Sequence, residues 1–241
     1  MNSASRLSSS RGVLVVADLA DVVYSCGKVF NGLSVGRFDT ESFLCSGRAD
    51  KAVSRADLAL LEDLRDSAQF VIDHAGHEID AEFVRAVNAT IIRSGALHPG
   101  QLRTQEQAIG VTTPFGRHTP AALTASGLQA LLDDAPRSGD VRENALDLFV
   151  DLAQAQVFED GNKRTAALVA NSVLIGAGAG VLLTIPVDDN DPGLSETFNV
   201  LLARAYIFGE GDGVKAMLRS RGFTRIPHHK YGNKEIRKSF G

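Results

Sequence analysis

The stretch AQAQVFEDGNKRTAAL, residues 153–168, concentrates the side chains of this chain that could do chemistry. An apolar helical pattern precedes it and another follows, so its anatomy is a helix end, a tight polar turn and a helix start. Gly161 lets the backbone turn sharply, and Asn162, Lys163 and Arg164 fall in the first turn of the next helix. Free N–H groups, the positive end of the helix dipole and two cationic side chains then converge on one spot. That is an anion site, best suited to a phosphate. Two cations at a helix N-terminus are unfavourable for the helix alone, by a few tenths to about 1 kcal/mol each, and a bound anion would offset that. Glu159 and Asp160 set hard oxygen ligands beside the phosphate position, as suits Mg²⁺ shared with a nucleotide. The bland alternative is a helix–helix connection whose acidic pair neutralises its basic pair. The run is not a Walker loop, since no glycine precedes it at the required interval.

The elements that must position this turn are mostly α. Leu58, Leu61, Leu64, Ala68 and Ile72 share one face of a helix over about 54–74, started by Ser54 with Asp57 behind it. Asp80 caps a second helix carrying Phe83, Val84, Val87 and Ile91, which Pro99-Gly100 stops. Residues 101–120 read as irregular or hairpin-like, and Thr119-Pro120 opens a helix with Leu123, Leu128, Leu131 and Leu132. A long helix over 141–156 buries Ala145, Leu148, Phe149, Leu152 and Ala155. Further helices are expected over 163–176, 194–208 and 213–220, with a short strand in VLLTIPV at 181–187. Four segments result: a disordered N-terminus at 1–12, an extension at 13–53, the main domain at 54–222 and a basic tail at 223–241.

With those elements in place, VFEDGNKRTA resembles the signature of the Fic/Doc (Fido) proteins, His-x-Phe-x-Asp/Glu-Gly-Asn-Gly/Lys-Arg, often with a further Arg three residues on. Phe158, Asp160, Gly161, Asn162 and Arg164 match, and Lys163 takes the form of the Doc branch. HPGQLRTQEQAIGV, residues 98–111, is similar to the Pro-Gly-x-Leu-Arg segment of Fic domains. The resemblance implies a mostly helical Fic-type fold with a small β-hairpin flap at about 109–119, which would hold a target protein by strand addition. It implies ATP and Mg²⁺ as cofactors and transfer of AMP to a protein hydroxyl (AMPylation), or of the terminal phosphate in the Doc branch. Carried over, Phe158 anchors the loop and Asp160 is the metal ligand. Gly161, Asn162, Lys163 and Arg164 form the phosphate cradle, and Arg164 counts with position 156 as catalytic. A small antitoxin or regulatory protein is a second kind of partner the family implies.

Two positions depart from the signature. Gln156 stands where the family has the general-base His, and a neutral amide can orient a hydroxyl but cannot take its proton. Losing a general base costs roughly 10²–10⁴-fold in rate. Ala167 stands where many members carry the second Arg. His118, at the end of the expected flap, and His98, before the Pro-Gly turn, are candidates to substitute as base, the plainer reading of each being a surface or hydrogen-bonded His. An active transferase and a degenerate nucleotide- or protein-binding module therefore both remain open. A Ser/Thr-x-x-x-Glu-Gly/Asn inhibitory motif fits neither Glu143-Asn144 nor Glu210-Gly211.

Composition narrows the partners. The chain has 241 residues, 44% hydrophobic and 22% charged, with a formal charge of −4, an ordinary globular balance that argues against nucleic acid. Cys26 and Cys45 read as buried free thiols of a reducing compartment, with a single disulfide as the other arrangement. Asp18 and Asp21 interrupt the one stretch that could be an export signal, so a cytoplasmic location is expected. The uncharged run 166–187 has the length of a membrane span, but Gly176, Gly178, Gly180 and Pro186 favour a buried helix, a turn and a strand. His228-His229 in the basic tail lack a third ligand at metal-binding spacing.

Overall fold

A computed structural model describes residues 14–95, 97–135 and 138–227. After a short 3-10 turn at Val16–Leu19 come helices α1 (Ala20–Asn31), α2 (Arg37–Ser46), α3 (Arg55–Asp73) and α4 (Ala81–Ala89). An antiparallel hairpin follows, β1 (Val111–Thr113) and β2 (Gly116–His118), then α5 (Ala125–Asp134), α6 (Val141–Ala155) and α7 (Asn162–Gly176). Strand β3 (Val181–Leu183), helices α8 (Pro192–Phe208) and α9 (Gly211–Arg221) and strand β4 (Phe223–Arg225) complete the order. β3 and β4 pair antiparallel, with Leu182 opposite Thr224, so the start of the stretch read as a tail is a strand.

The core explains the order. α7 is the central element: Ala166, Ala167, Leu168, Val169 and Ala170 are all fully buried, so it is apolar on every side, as a helix surrounded by others must be. α6 lies against it along its length, and α1, α3 and α4 cover the rest. Small residues on α7 let these helices come close, and Phe149, Phe198, Leu61, Leu64 and Val84 fill the space between. The N-terminal helices α1 and α2 share this core through Val22, Val23, Phe43 and Leu44. The uncharged run 166–187 thus divides into the end of α7, a glycine turn and β3. Among the described residues no helix is long and apolar enough to cross a membrane.

Helix starts fall where polar caps stand. Ser54, Asp80, Thr124 and Asp140 each accept an N–H of the following first turn. Thr124 corrects the expected start of α5 at Thr119-Pro120: residues 119–123 stay outside the helix, and the Pro120 carbonyl accepts from Arg103. α4 ends at Ala89, ten residues before Pro99: the Thr90 and Ile91 amides tighten onto the Val87 and Asn88 carbonyls, and those of Ile92, Arg93 and Ser94 bond the Asp63 side chain of α3. β3 covers only the first three residues of VLLTIPV. Cys26 is a buried free thiol, whereas Cys45 is free and exposed, on the outer side of α2 from Phe43 and Leu44. Residues 1–12 and His228-His229 lie outside the described residues.

Candidate functional site

α6 ends at Ala155, and Gln156 turns the chain with φ 46°, the one non-glycine residue with positive φ among those described. Its side chain does not reach outward: Nε2 donates to the Ala153 carbonyl at 2.6 Å. Its carbonyl accepts from Arg103 Nε at 2.6 Å, and the Arg103 N–H donates to the Val157 carbonyl. Leu102 and Phe158 form an antiparallel bridge. The 98–103 segment and the signature turn, far apart in sequence, are therefore zipped together. Phe158, 1% exposed, plugs the turn into the core, a burial that stabilises by about 1.5–3 kcal/mol.

The turn then closes on itself. Asn162 Oδ1 accepts from the Phe158 N–H and Asn162 Nδ2 donates to the Phe158 carbonyl. Gly161 has φ 76°, and a Cβ there would meet Ile91 Cδ1 at 2.7 Å and Asn88 Nδ2 at 3.0 Å. No other residue fits on either count. Buried Asn88 ties the pieces together, donating to the Asp160 carbonyl and Thr165 Oγ1 and accepting from the Gly100 N–H. α7 starts at Asn162 without a side-chain cap, so its first N–H groups face the space in front of the turn.

The charges gather on that space. Lys163 Nζ stands 5.0 Å from the centroid of Phe30 at the end of α1. Arg164, only 2% exposed, donates to Ser94 Oγ at 2.9 Å and to Asp160 Oδ2 at 3.2 Å. Burial pulls both cations' pKa values down, and nearby Asp160 opposes the shift. The Asp160 side chain is half exposed, and Glu159 contacts His98 Nδ1 at 3.3 Å. A cavity of about 260 Å³ is lined by Phe30, Ile109, Gln156 and residues 159–164. A second, of about 450 Å³, opens between the hairpin and α8; Lys163, Thr112, Asn199 and Tyr206 line it. Lys163 borders both.

The structure thus brings Gln156, Asp160, Gly161, Asn162, Lys163 and Arg164 to one cavity. The Asn162 side chain is spent on the turn, which leaves its N–H to the space outside. His118 is not aimed there: Nε2 bonds the Gln154 carbonyl at 2.7 Å, and the ring stacks on Tyr206. Ala167 lies fully buried in the core of α7. Sequence reasoning missed Asn88, Arg103, Ser94 and Tyr206. The one signal available was a polar residue among apolar neighbours, as at Asn88 after Val84 and Val87. Tyr206, 5% exposed, holds its hydroxyl beside the Gln156 side chain without a hydrogen bond of ordinary geometry, and burial raises its pKa strongly.

Comparison with known proteins gives the same picture. Residues 78–174 match the model of the Fic/DOC family. No curated protein matches. The fold is similar to that of a Fic-domain-containing signaling protein from Bacteroides thetaiotaomicron, with TM-score 0.63 and 18% identity, over 83% of this chain and 80% of that one. It is also similar to a fragment of Fic-1 from C. elegans, with TM-score 0.64 and 17% identity, over 83% of this chain and 58% of that one. The signature that the fold builds into one closed turn thus lies within the stretch, residues 78–174, that matches the Fic/DOC family.

Proposed function

We propose that the N-terminus of α7 binds the phosphates of ATP with Mg²⁺, as the site of a Fic-type transfer of AMP to a protein hydroxyl. The observation that carries this reading is the uncapped first turn of α7 flanked by Lys163 and Arg164, closed behind by Gly161 and Asn162. The residues fit both groups. The N–H donors and two cations suit a polyphosphate. Asp160 offers the single half-exposed carboxylate with which Mg²⁺, shared with substrate phosphates, is usually held. The cavity between hairpin and α8 continues from Lys163 and has the size and mixed lining for a nucleoside, with Tyr206 in its wall.

Bound Mg²⁺ would neutralise phosphate charge; the chain's own groups bind and orient. Arg164 and Lys163 draw the phosphates in, and the α7 amides hold them. The hairpin at 111–118, an edge on both sides, offers backbone groups to an extended target chain near 109–119. Missing is a proton acceptor, since Gln156 is folded back onto Ala153. We therefore read the transfer as weak or lost, so that the protein works as a nucleotide-dependent binding module for a target or for a small antitoxin-type regulator. A Doc-like transfer of the terminal phosphate is the second reading, favoured by Lys163. We place the protein in the cytoplasm.

Calorimetric titration of the protein with ATP, with and without Mg²⁺, tests the reading. Binding that needs Mg²⁺ in the native protein, and loses that dependence in Asp160→Asn, is expected. Absence of any nucleotide binding would leave the turn as a structural connection.

A further inference from the structure

Arg164 is a cation almost wholly shielded from water, and a buried charge needs a counter-charge that stays in place. Its direct carboxylate partner, Asp160, is half exposed and stands on the same turn. That carboxylate is also the one assigned above to the metal, and an oxygen shared with Mg²⁺ has less to give a guanidinium. The other contact is Ser94 Oγ at 2.9 Å. Ser94 in turn donates its hydroxyl to Asp63 Oδ2 at 2.7 Å.

Asp63 belongs to α3 and is fully buried. It accepts the backbone N–H groups of Ile92, Arg93 and Ser94, besides the Arg93 guanidinium and the Ser94 hydroxyl. These bonds hold the backbone and the side chain of Ser94 together, so the oxygen that meets Arg164 has no freedom to leave. The same segment walls the site: a Cβ on Gly95 would come within 3.4 Å of Asp160 Oδ2. A carboxylate one hundred and one residues away in sequence is thereby linked to the cradle through a single hydroxyl.

We infer that Ser94 and Asp63 are positioning residues for Arg164, holding its guanidinium at the phosphate site and supplying a buried counter-charge for which a metal at Asp160 does not compete. The functional half of this inference rests on the nucleotide reading above; the structural half does not. Asp63 alone could be doing no more than building the 92–94 loop. Ser94 separates the two roles, because removing its hydroxyl leaves every backbone bond to Asp63 in place and cuts only the hydroxyl's own two bonds, the one it donates to Asp63 and the one it accepts from Arg164.

The test uses the full chain, ¹⁵N-labelled, as native protein, Ser94→Ala and Ser94→Thr, with Arg164→Gln identifying the Arg164 guanidinium signals. In the native protein the Nη protons of Arg164 are expected to exchange slowly and appear as resolved signals. Ser94→Ala should lose them and bind Mg·ATP more weakly, on the order of tenfold, as the loss of one charge-assisted hydrogen bond gives. Ser94→Thr should restore both. Unchanged Nη signals in Ser94→Ala, or equal weakening by Ala and Thr, would overturn the inference. If the native protein binds no Mg·ATP, the nucleotide reading and the functional half both fall. The Nη signals still decide whether Ser94 fixes Arg164.

Discussion

Phe158 and Asn162 are joined by two reciprocal hydrogen bonds across the signature turn, at 2.8 and 2.9 Å. The side-chain amide of Asn162 thus takes the place of a facing peptide unit, and Asn88 of α4 adds a bond to the Asp160 carbonyl within the turn. Truncation to Asn162→Ala leaves a buried N–H and a buried carbonyl unpaired and is expected to cost about 2–4 kcal/mol. Asn162→Asp keeps the acceptor and loses the donor, so it should cost less. Urea denaturation of the three proteins checks the order.

Gly161 is fixed by two independent demands, its φ of 76° and the space claimed by Ile91 and Asn88. Gly161→Ala should destabilise by about 1–3 kcal/mol and, by tilting the first turn of α7, weaken anion binding as well. A variant as stable as the native protein would contradict this.

Tyr206 carries a buried hydroxyl that gains no ordinary hydrogen bond among the described residues. Tyr206→Phe should therefore leave stability unchanged or raise it by about 0.5–1 kcal/mol, since an unsatisfied polar group is removed. Because that hydroxyl is closed off from the neighbouring cavity, the same variant should leave ATP binding unchanged. Thermal unfolding and nucleotide titration read the two effects separately.

Asp151 lines a cleft with Asp147 and Lys215, and burial, then the charge of Asp147, raises its pKa from 3.8. An acid whose folded pKa is raised takes a proton more readily folded than unfolded, so its ionised form subtracts stability at neutral pH. Asp151→Asn should then stabilise the protein by about half a kcal/mol at pH 7. That gain should shrink as pH falls through the raised folded pKa and vanish below about 3.8. Melting temperatures of both proteins across that range provide the check.

Much of this architecture is written locally. The caps at Ser54 and Asp80, the apolar faces of α3 and α6 and the glycine turn at 161 are each visible within a few residues, because caps, periodicity and positive φ are local physics. Other elements are set by distant partners. α4 stops at Ala89, and the amides of Ile92, Arg93 and Ser94 beyond its tightened last turn go to Asp63, on another helix. Arg103 looks like a surface residue of an irregular segment, yet it is 4% exposed and holds the Gln156 and Pro120 carbonyls. Asn162 reads as part of an anion cradle from its position, while its side chain is consumed by the turn. α2 gives little signal alone, since its apolar face is short and is completed by α1 and the preceding 3-10 turn.

The reading proposed above holds that the phosphate cradle is intact while position 156 supplies no proton acceptor. The native protein and Gln156→His, each incubated with Mg²⁺, cell lysate and ATP labelled at the α phosphate, test it directly, with γ-labelled ATP as the parallel arm. The account predicts protein labelling by Gln156→His from α-labelled ATP, with the native protein roughly 10²–10⁴-fold slower or silent. Label from γ-ATP alone would move the protein to the Doc-like reading. Equal labelling by both proteins would contradict the role given to position 156, and silence from both would contradict the transferase ancestry of the site.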